Sequence, residues 1–249
     1  MCTVSIISLA DGFRLVVNRD EERDRPPARP PAWRDVPADP AVRAIWPTDP
    51  LGGGTWIGAS HAGLVLAVLN VNPPGSARMP GVERAQSRGT IIPALIHAAS
   101  AEAAAARFAS MDHTRFPPVR LVAVQTHRDS RNVAIWESCW DGTSLAEPRV
   151  HEAPACFVSS GLGDACVQVR LPLFHAMVSV SPTPDAQDAF HAHHWPDRPE
   201  LSVLMCRAGA RTISRTTVEV RGDAIAMDYS EVPEPVRVPV ERGRPTPRR

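Results

Sequence analysis

The chain has no lysine: all 27 of its basic residues are arginine, and 27 acids balance them to a formal net charge of zero. Together with the richness in alanine and proline, that reads as coding bias of the source rather than as function. The missing positive excess argues against a nucleic-acid binder held by phosphate neutralisation, and against polybasic attraction to a membrane surface. No run of about 18 apolar residues exists, so no transmembrane span is expected. The first nine residues carry neither a positive n-region nor a small-residue cleavage site, so no secretory signal is expected either. No C-x-x-C pair occurs among Cys2, Cys139, Cys156, Cys166 and Cys206; their odd number and irregular spacing suggest neither a zinc site nor a disulfide framework. A reducing cytoplasm is the natural setting. Most of these thiols read as small buried hydrophobes, and Cys2 is the exception.

What is present is enough for a core. With 249 residues, 43% of them hydrophobic, the chain fits one large domain. We expect that domain over 1–231, followed by a Pro- and Arg-punctuated tail over 232–249, extended or disordered. Thr3 to Leu9 and Phe13 to Val17 are apolar, β-branched runs either side of Asp11-Gly12, a hairpin signal. A hairpin brings its outer ends together, so Cys2 becomes a neighbour of Asn18-Arg19-Asp20-Glu21. Residues 25–50 read as an irregular connection, and 63–70 as a β run behind Gly52-Gly53-Gly54. Ile91 to Ala109 is the clearest helix. Val119–Thr126 and Val133–Ser138 read as a strand pair joined at Arg128-Asp129-Ser130. Residues 154–159 follow as a strand, then 163–180 as a helix interrupted near Pro172, then surface loop with some helix over Ser181–Pro199. Leu201–Cys206, Thr212–Val220 and Ala224–Tyr229 close the chain as strands. Paired strands with helices grouped between them indicate an α+β fold with largely antiparallel sheets.

The chemistry centres on Cys2. Once Met1 is removed, this residue carries a thiol and a free α-amine, whose pKa of about 7.7–8.0 leaves a useful neutral fraction to take the thiol proton. One residue then supplies nucleophile and base. Arg19 would lower the thiol pKa and hold a substrate carbonyl or carboxylate, and Asp20 would orient the amine. The bland alternative for 18–21 is a solvated turn. His191, His193 and His194 invite a metal reading, but no acid or cysteine stands at useful spacing, so a polar loop is the better one and no metal or cofactor is called for. Gly52-Gly53-Gly54 lacks the Lys-Ser/Thr of a phosphate loop; it reads as letting the backbone pass close to the Cys2 strand. Trp56 is core or pocket wall, and with Asn18 it is a candidate for contact with substrate.

Met1-Cys2-Thr3, Asn18-Arg19-Asp20-Glu21, Arg25-Pro26, Gly53 to Gly58, Gly63 through Leu69-Asn70 and Ser87-Arg88-Gly89 together resemble the NRDE family, also named after transport and Golgi organisation protein 2. Beyond residue 90 the likeness thins to Arg215-Thr216-Thr217-Val218. The resemblance implies the four-layer αββα sandwich of Ntn hydrolases, and a distant kinship with choloylglycine hydrolases and penicillin V acylases. It implies Cys2 as nucleophile, Arg19 and Asp20 as the adjacent charged pair, and Asn70 as an oxyanion donor. It also implies Arg215, with Arg211 as the alternative, as a distal arginine supporting the centre. In Phe157-Val158-Ser159-Ser160 a serine stands where the relatives carry a second oxyanion asparagine, a loss worth about 100–1,000-fold in rate. The expected function is cleavage of a linear amide of a small acyl substrate. The alternative is a non-catalytic protein handling haem or acyl lipid on the same fold.

Overall fold

A computed structural model describes residues 2–72, 86–126 and 132–233. The Arg128-Asp129-Ser130 turn, Met1 and residues 234–249 of the tail lie outside the described residues.

The hairpin forms as its sequence signal requires. Strands β1 (Cys2–Leu9) and β2 (Gly12–Glu22) pair antiparallel, with Cys2 opposite Arg19 and Leu9 opposite Gly12. They anchor a five-stranded sheet, completed by β10 (Ala155–Val158), β11 (Ala210–Arg221) and β12 (Ala224–Glu231) in the order β10-β1-β2-β11-β12. A seven-stranded sheet runs in chain order through β3 (Arg29–Val36), β4 (Asp39–Thr48), β5 (Ile57–Ser60), β6 (Val65–Asn70), β7 (Val119–Thr126), β8 (Val133–Trp140) and β9 (Arg149–His151). Every pairing in both sheets is antiparallel.

Period-two alternation sorts the hairpin's side chains. Val4, Ile6, Leu15 and Val17 face the space between the sheets and join Leu66, Leu69 and Val122 in the main core. Ile7 faces the opposite way and packs with Phe174, Val178, Phe190 and Val203 in a second cluster. Helices α3 (Arg170–Phe174) and α4 (Pro184–His191) cover that outer face, while α1 (Ile91–Leu95) and α2 (Ala101–Ala109) cover the seven-stranded sheet. The layers therefore run α-β-β-α, an α+β sandwich. No helix among the described residues is long and apolar enough to cross a membrane.

Three expectations are corrected. Residues 25–50 are not irregular: they form β3 and β4 despite Pro30, Pro31, Pro40 and Pro47. β3 is an edge strand whose register shifts between Arg29 and Ala32, where the two adjacent prolines sit, so their missing N–H groups break no central ladder. The helix expected over 91–109 is two, because the Ser100 side chain accepts from the Ala103 N–H and starts α2 afresh. Leu201–Cys206 is not a strand; Val203 and Met205 are buried as loop residues beneath α4.

Candidate active site

At one end of the sandwich, between the sheets, lies a cavity of about 340 Å³ onto which Cys2 opens. β1 and β2 place Cys2 and Arg19 side by side on the inner face. From the seven-stranded sheet come Trp56, just before β5, and Asn70, the last residue of β6. The remaining wall is loop: residues 49–55 and 86–89, which touch where a Cβ on Gly54 would stand 2.4 Å from the Gly89 carbonyl carbon. The Thr55 N–H donates to the Gly89 carbonyl at 3.0 Å and fixes that crossing. The glycine run thus serves a close approach to Gly89, not to the Cys2 strand as its position suggested.

Cys2 is 4% exposed. Burial pushes its thiol above the ordinary value, against the opposing pull of the positive amino terminus and Arg19, so the resting group is a thiol. Its backbone N–H donates to Ser159 Oγ at 3.1 Å, and the Ser159 N–H returns a bond to the Cys2 carbonyl at 2.9 Å. The α-nitrogen of residue 2 is therefore gripped by a buried hydroxyl. Ser160, in the place of the expected asparagine, is occupied elsewhere: its N–H donates to Asp164 and its Oγ accepts from the Leu162 N–H.

Arg19 is held by acids. Its Nη2 donates to Asp49 Oδ2 at 2.8 Å and lies 3.4 Å from Glu21 Oε2, while its guanidinium stacks 4.2 Å from the Trp56 ring centroid. Asp49 also accepts from Arg25 and from the N–H groups of Leu51 and Gly52. Burial by itself would raise the Asp49 carboxyl; the Arg25 hydrogen bond, the Leu51 amide and the two guanidiniums hold it below its ordinary value. Arg88, on the 86–89 wall, is lowered by burial, against the pull of Glu21 and Cys2.

The alternation that aims Arg19 inward aims its neighbours outward. Asp20 faces the helix layer, where it accepts from Thr212 Oγ1 at 2.6 Å and pairs with Arg170 at 3.7 Å. Burial pushes its carboxyl up, with Arg170 and Thr212 opposing. It lies on the face of β2 opposite Arg19, and its charge is felt both by the thiol and by the amino terminus. Asn18 is fully buried, donates to the His191 and Val203 carbonyls, and has no access to the cavity, so it is not a substrate contact. Arg215 pairs across from Asn18 and points to Asp188 at 3.9 Å on the helix side; on the same side the buried Arg170 donates to Thr3 Oγ1 at 2.7 Å. Of the histidines, His191 is buried between Ser5 and Asn18. No group of potential metal ligands occurs among the described residues.

Sequence reasoning therefore brought Cys2, Arg19, Trp56 and Asn70 to one cavity. It missed Asp49, Arg88 and Ser159 as members and the buried Arg170 on the helix side. Arg25 and Arg88 carried a signal in the Arg-Pro and Ser-Arg-Gly matches; Asp49 carried none.

A family described as TANGO2: Transport and Golgi organisation 2 matches residues 1–159. No curated protein matches the chain in sequence. Among solved structures, an N-acylethanolamine-hydrolyzing acid amidase ortholog from Caenorhabditis elegans shares the fold, with a TM-score of 0.53 and 11% identity over 87% of this chain and 92% of that one. Penicillin V acylase from Agrobacterium tumefaciens aligns with a TM-score of 0.47 and 15% identity, over 88% and 79% of the two chains. At 11% identity the likeness to the amidase ortholog is one of architecture alone, the α-β-β-α sandwich.

Proposed function

This chain belongs to the Transport and Golgi organisation 2 family, and from that premise we propose that it hydrolyses a linear amide of a small acyl substrate, with Cys2 as nucleophile after loss of Met1. The observation that carries the reading is the grip on residue 2: a buried thiol opening onto a polar cavity, with its α-nitrogen held by Ser159.

The freed α-amine takes the thiol proton as sulfur attacks the amide carbonyl carbon, forming a C–S bond and an oxyanion. Asn70, one of the residues lining the cavity, donates its amide to that oxygen. The tetrahedral adduct collapses, the C–N bond breaks, and the amine departs with the proton held by the α-ammonium, leaving a thioester. Water then gives its proton to the α-amine and attacks the thioester carbon. Breaking of the C–S bond releases the carboxylic acid and restores the thiol. A thiol raised by burial suits this sequence, since it is ionised only as it attacks. Arg19 and Asp49 hold the wall of the cavity around these steps. The rival role in haem or acyl-lipid handling asks for an apolar pocket, whereas the described residues here surround the thiol with guanidinium and carboxylate groups.

The test is intact mass followed by turnover. The mature protein should lack Met1, and a panel of fluorogenic acyl amides should be cleaved by wild type and not by Cys2→Ala or Cys2→Ser. Retained Met1, or turnover that survives Cys2→Ala, would sink the proposal.

A further inference from the structure

Three buried polar atoms of cavity-lining residues have no hydrogen-bond partner among the described residues: Arg25 Nε, which still lies 3.9 Å from Glu21 Oε2, and the pair Arg19 Nη1 and Trp56 Nε1. The side chains of this pair belong to residues only 5% and 6% exposed, and the guanidinium lies over the indole ring, so the two donors form one stacked unit. Buried donors are almost always satisfied. Two on the wall of one cavity point to an acceptor that a ligand brings.

The charge of the wall points the same way. Among the described residues of the wall, three guanidiniums, Arg19, Arg25 and Arg88, face two carboxylates, Glu21 and Asp49, which leaves one positive charge in excess there. Asp49 is already shared by Arg19 and Arg25, and Glu21 lies 3.4 Å from Arg19 and 3.9 Å from Arg25. The hydrogen bond of Arg88 among the described residues is to a neutral group, the Pro118 carbonyl, at 3.3 Å. A guanidinium sunk into a wall without a carboxylate of its own is stabilised by an incoming anion more than by a neutral polar group.

We propose that the substrate is an acyl amide carrying one carboxylate, which Arg19 Nη1 and Trp56 Nε1 hold by hydrogen bonds while Arg88 balances its charge. The amide half of this assignment rests on the hydrolase reading above; the carboxylate half rests on the cavity alone. A single carboxylate matches a single uncompensated charge, whereas a phosphate dianion overshoots it.

The experiment separates the two halves. Full-length Cys2→Ala protein, in which chemistry is blocked, is titrated calorimetrically with two matched pairs: succinamate against succinamide, and N-acetylglycine against N-acetylglycinamide. The first pair carries its charge on the acyl side, the second on the amine side. In one pair the carboxylate should bind about tenfold tighter than the neutral amide, as for a charge-assisted hydrogen bond. Trp56→Phe keeps the ring and removes the N–H, and Arg88→Gln removes the charge; each should erase most of that preference. Equal binding within both pairs, binding of no member, or a preference that survives both variants overturns the carboxylate. So does inorganic phosphate binding more tightly than either carboxylate. Turnover by protein with Cys2 intact is read separately: carboxylate preference without cleavage leaves this assignment standing and removes the hydrolase, and cleavage without preference does the reverse.

Discussion

Asp49 shows how much of this site hangs on one side chain. It binds two arginines and two backbone amides, and it keeps the Arg19 guanidinium flat against Trp56. Replacing it by asparagine leaves buried guanidinium donors facing a neutral group, at a cost of about 1–3 kcal/mol near neutral pH. The pH dependence has a definite sign. The folded carboxyl lies below its ordinary value of 3.8, so its contribution is present above that value and is lost as pH falls through and beneath it. Urea melts of wild type and Asp49→Asn should therefore differ at pH 7 and converge in strong acid; a constant gap would refute the assignment. Asp49 was invisible in the sequence because it sits alone in a stretch of prolines and arginines, where no spacing marks it. Arg19 and Trp56 were legible through motif and hairpin. Asn18 was misplaced by treating four adjacent residues as one cluster, when a strand sends successive side chains to opposite faces.

β2 and α4 meet through a buried polar chain. Ser5 Oγ lies 2.7 Å from His191 Nε2, and His191 Nδ1 lies 3.1 Å from Asn18 Oδ1. Burial, with Arg215, Arg14 and Arg170 nearby, holds the His191 ring well below its ordinary value of 6.5, hence neutral in the fold. An unfolded chain takes up the proton this ring refuses, so stability should fall as pH drops below about 6.5, by up to about 1.4 kcal/mol per pH unit. His191→Gln should lower stability at pH 7 and flatten that slope, measured by thermal melts between pH 7 and 5. An unchanged slope would place the titration elsewhere. Residues 181–199 read as surface loop with some helix, and α4 is that helix; the segment's histidines were weighed only as metal ligands or polar loop groups. What buries His191 is a pairing of Ser5, Asn18 and α4 that bridges 186 positions of chain between Ser5 and His191, which no local pattern displays. The proline-bearing β3 and β4 escaped for the opposite reason: composition argued against strands, yet Pro30 and Pro31 sit on the edge strand β3, and Pro40 and Pro47 fall outside the β4 positions paired with β5.

At the scale of the whole molecule, the α+β sandwich was legible from paired strands, and its layering from the family likeness. Both sheets share one core; its buried members lie from Cys2 to Val220, and the half-buried residues packed on it reach Tyr229. A chain ending at residue 233 should therefore unfold in one transition, with a Tm within about 2 °C of the full-length protein. Two resolved transitions in calorimetry would show that the sheets fold apart, and a larger shift that the tail belongs to the fold.

The β1–β2 hairpin also sets a rule for length. Its two faces belong to different neighbourhoods, the cavity on one side and the buried Asn18, Asp20 and Arg170 network on the other. Adding or deleting one residue between Gly12 and Arg19 would exchange them, turning Arg19 toward the helices and an acid or an amide toward the thiol. Point changes in this hairpin adjust the site; a one-codon insertion would turn it inside out. Length variation can be absorbed at the Ala10-Asp11 turn, and the strand bodies must keep their count.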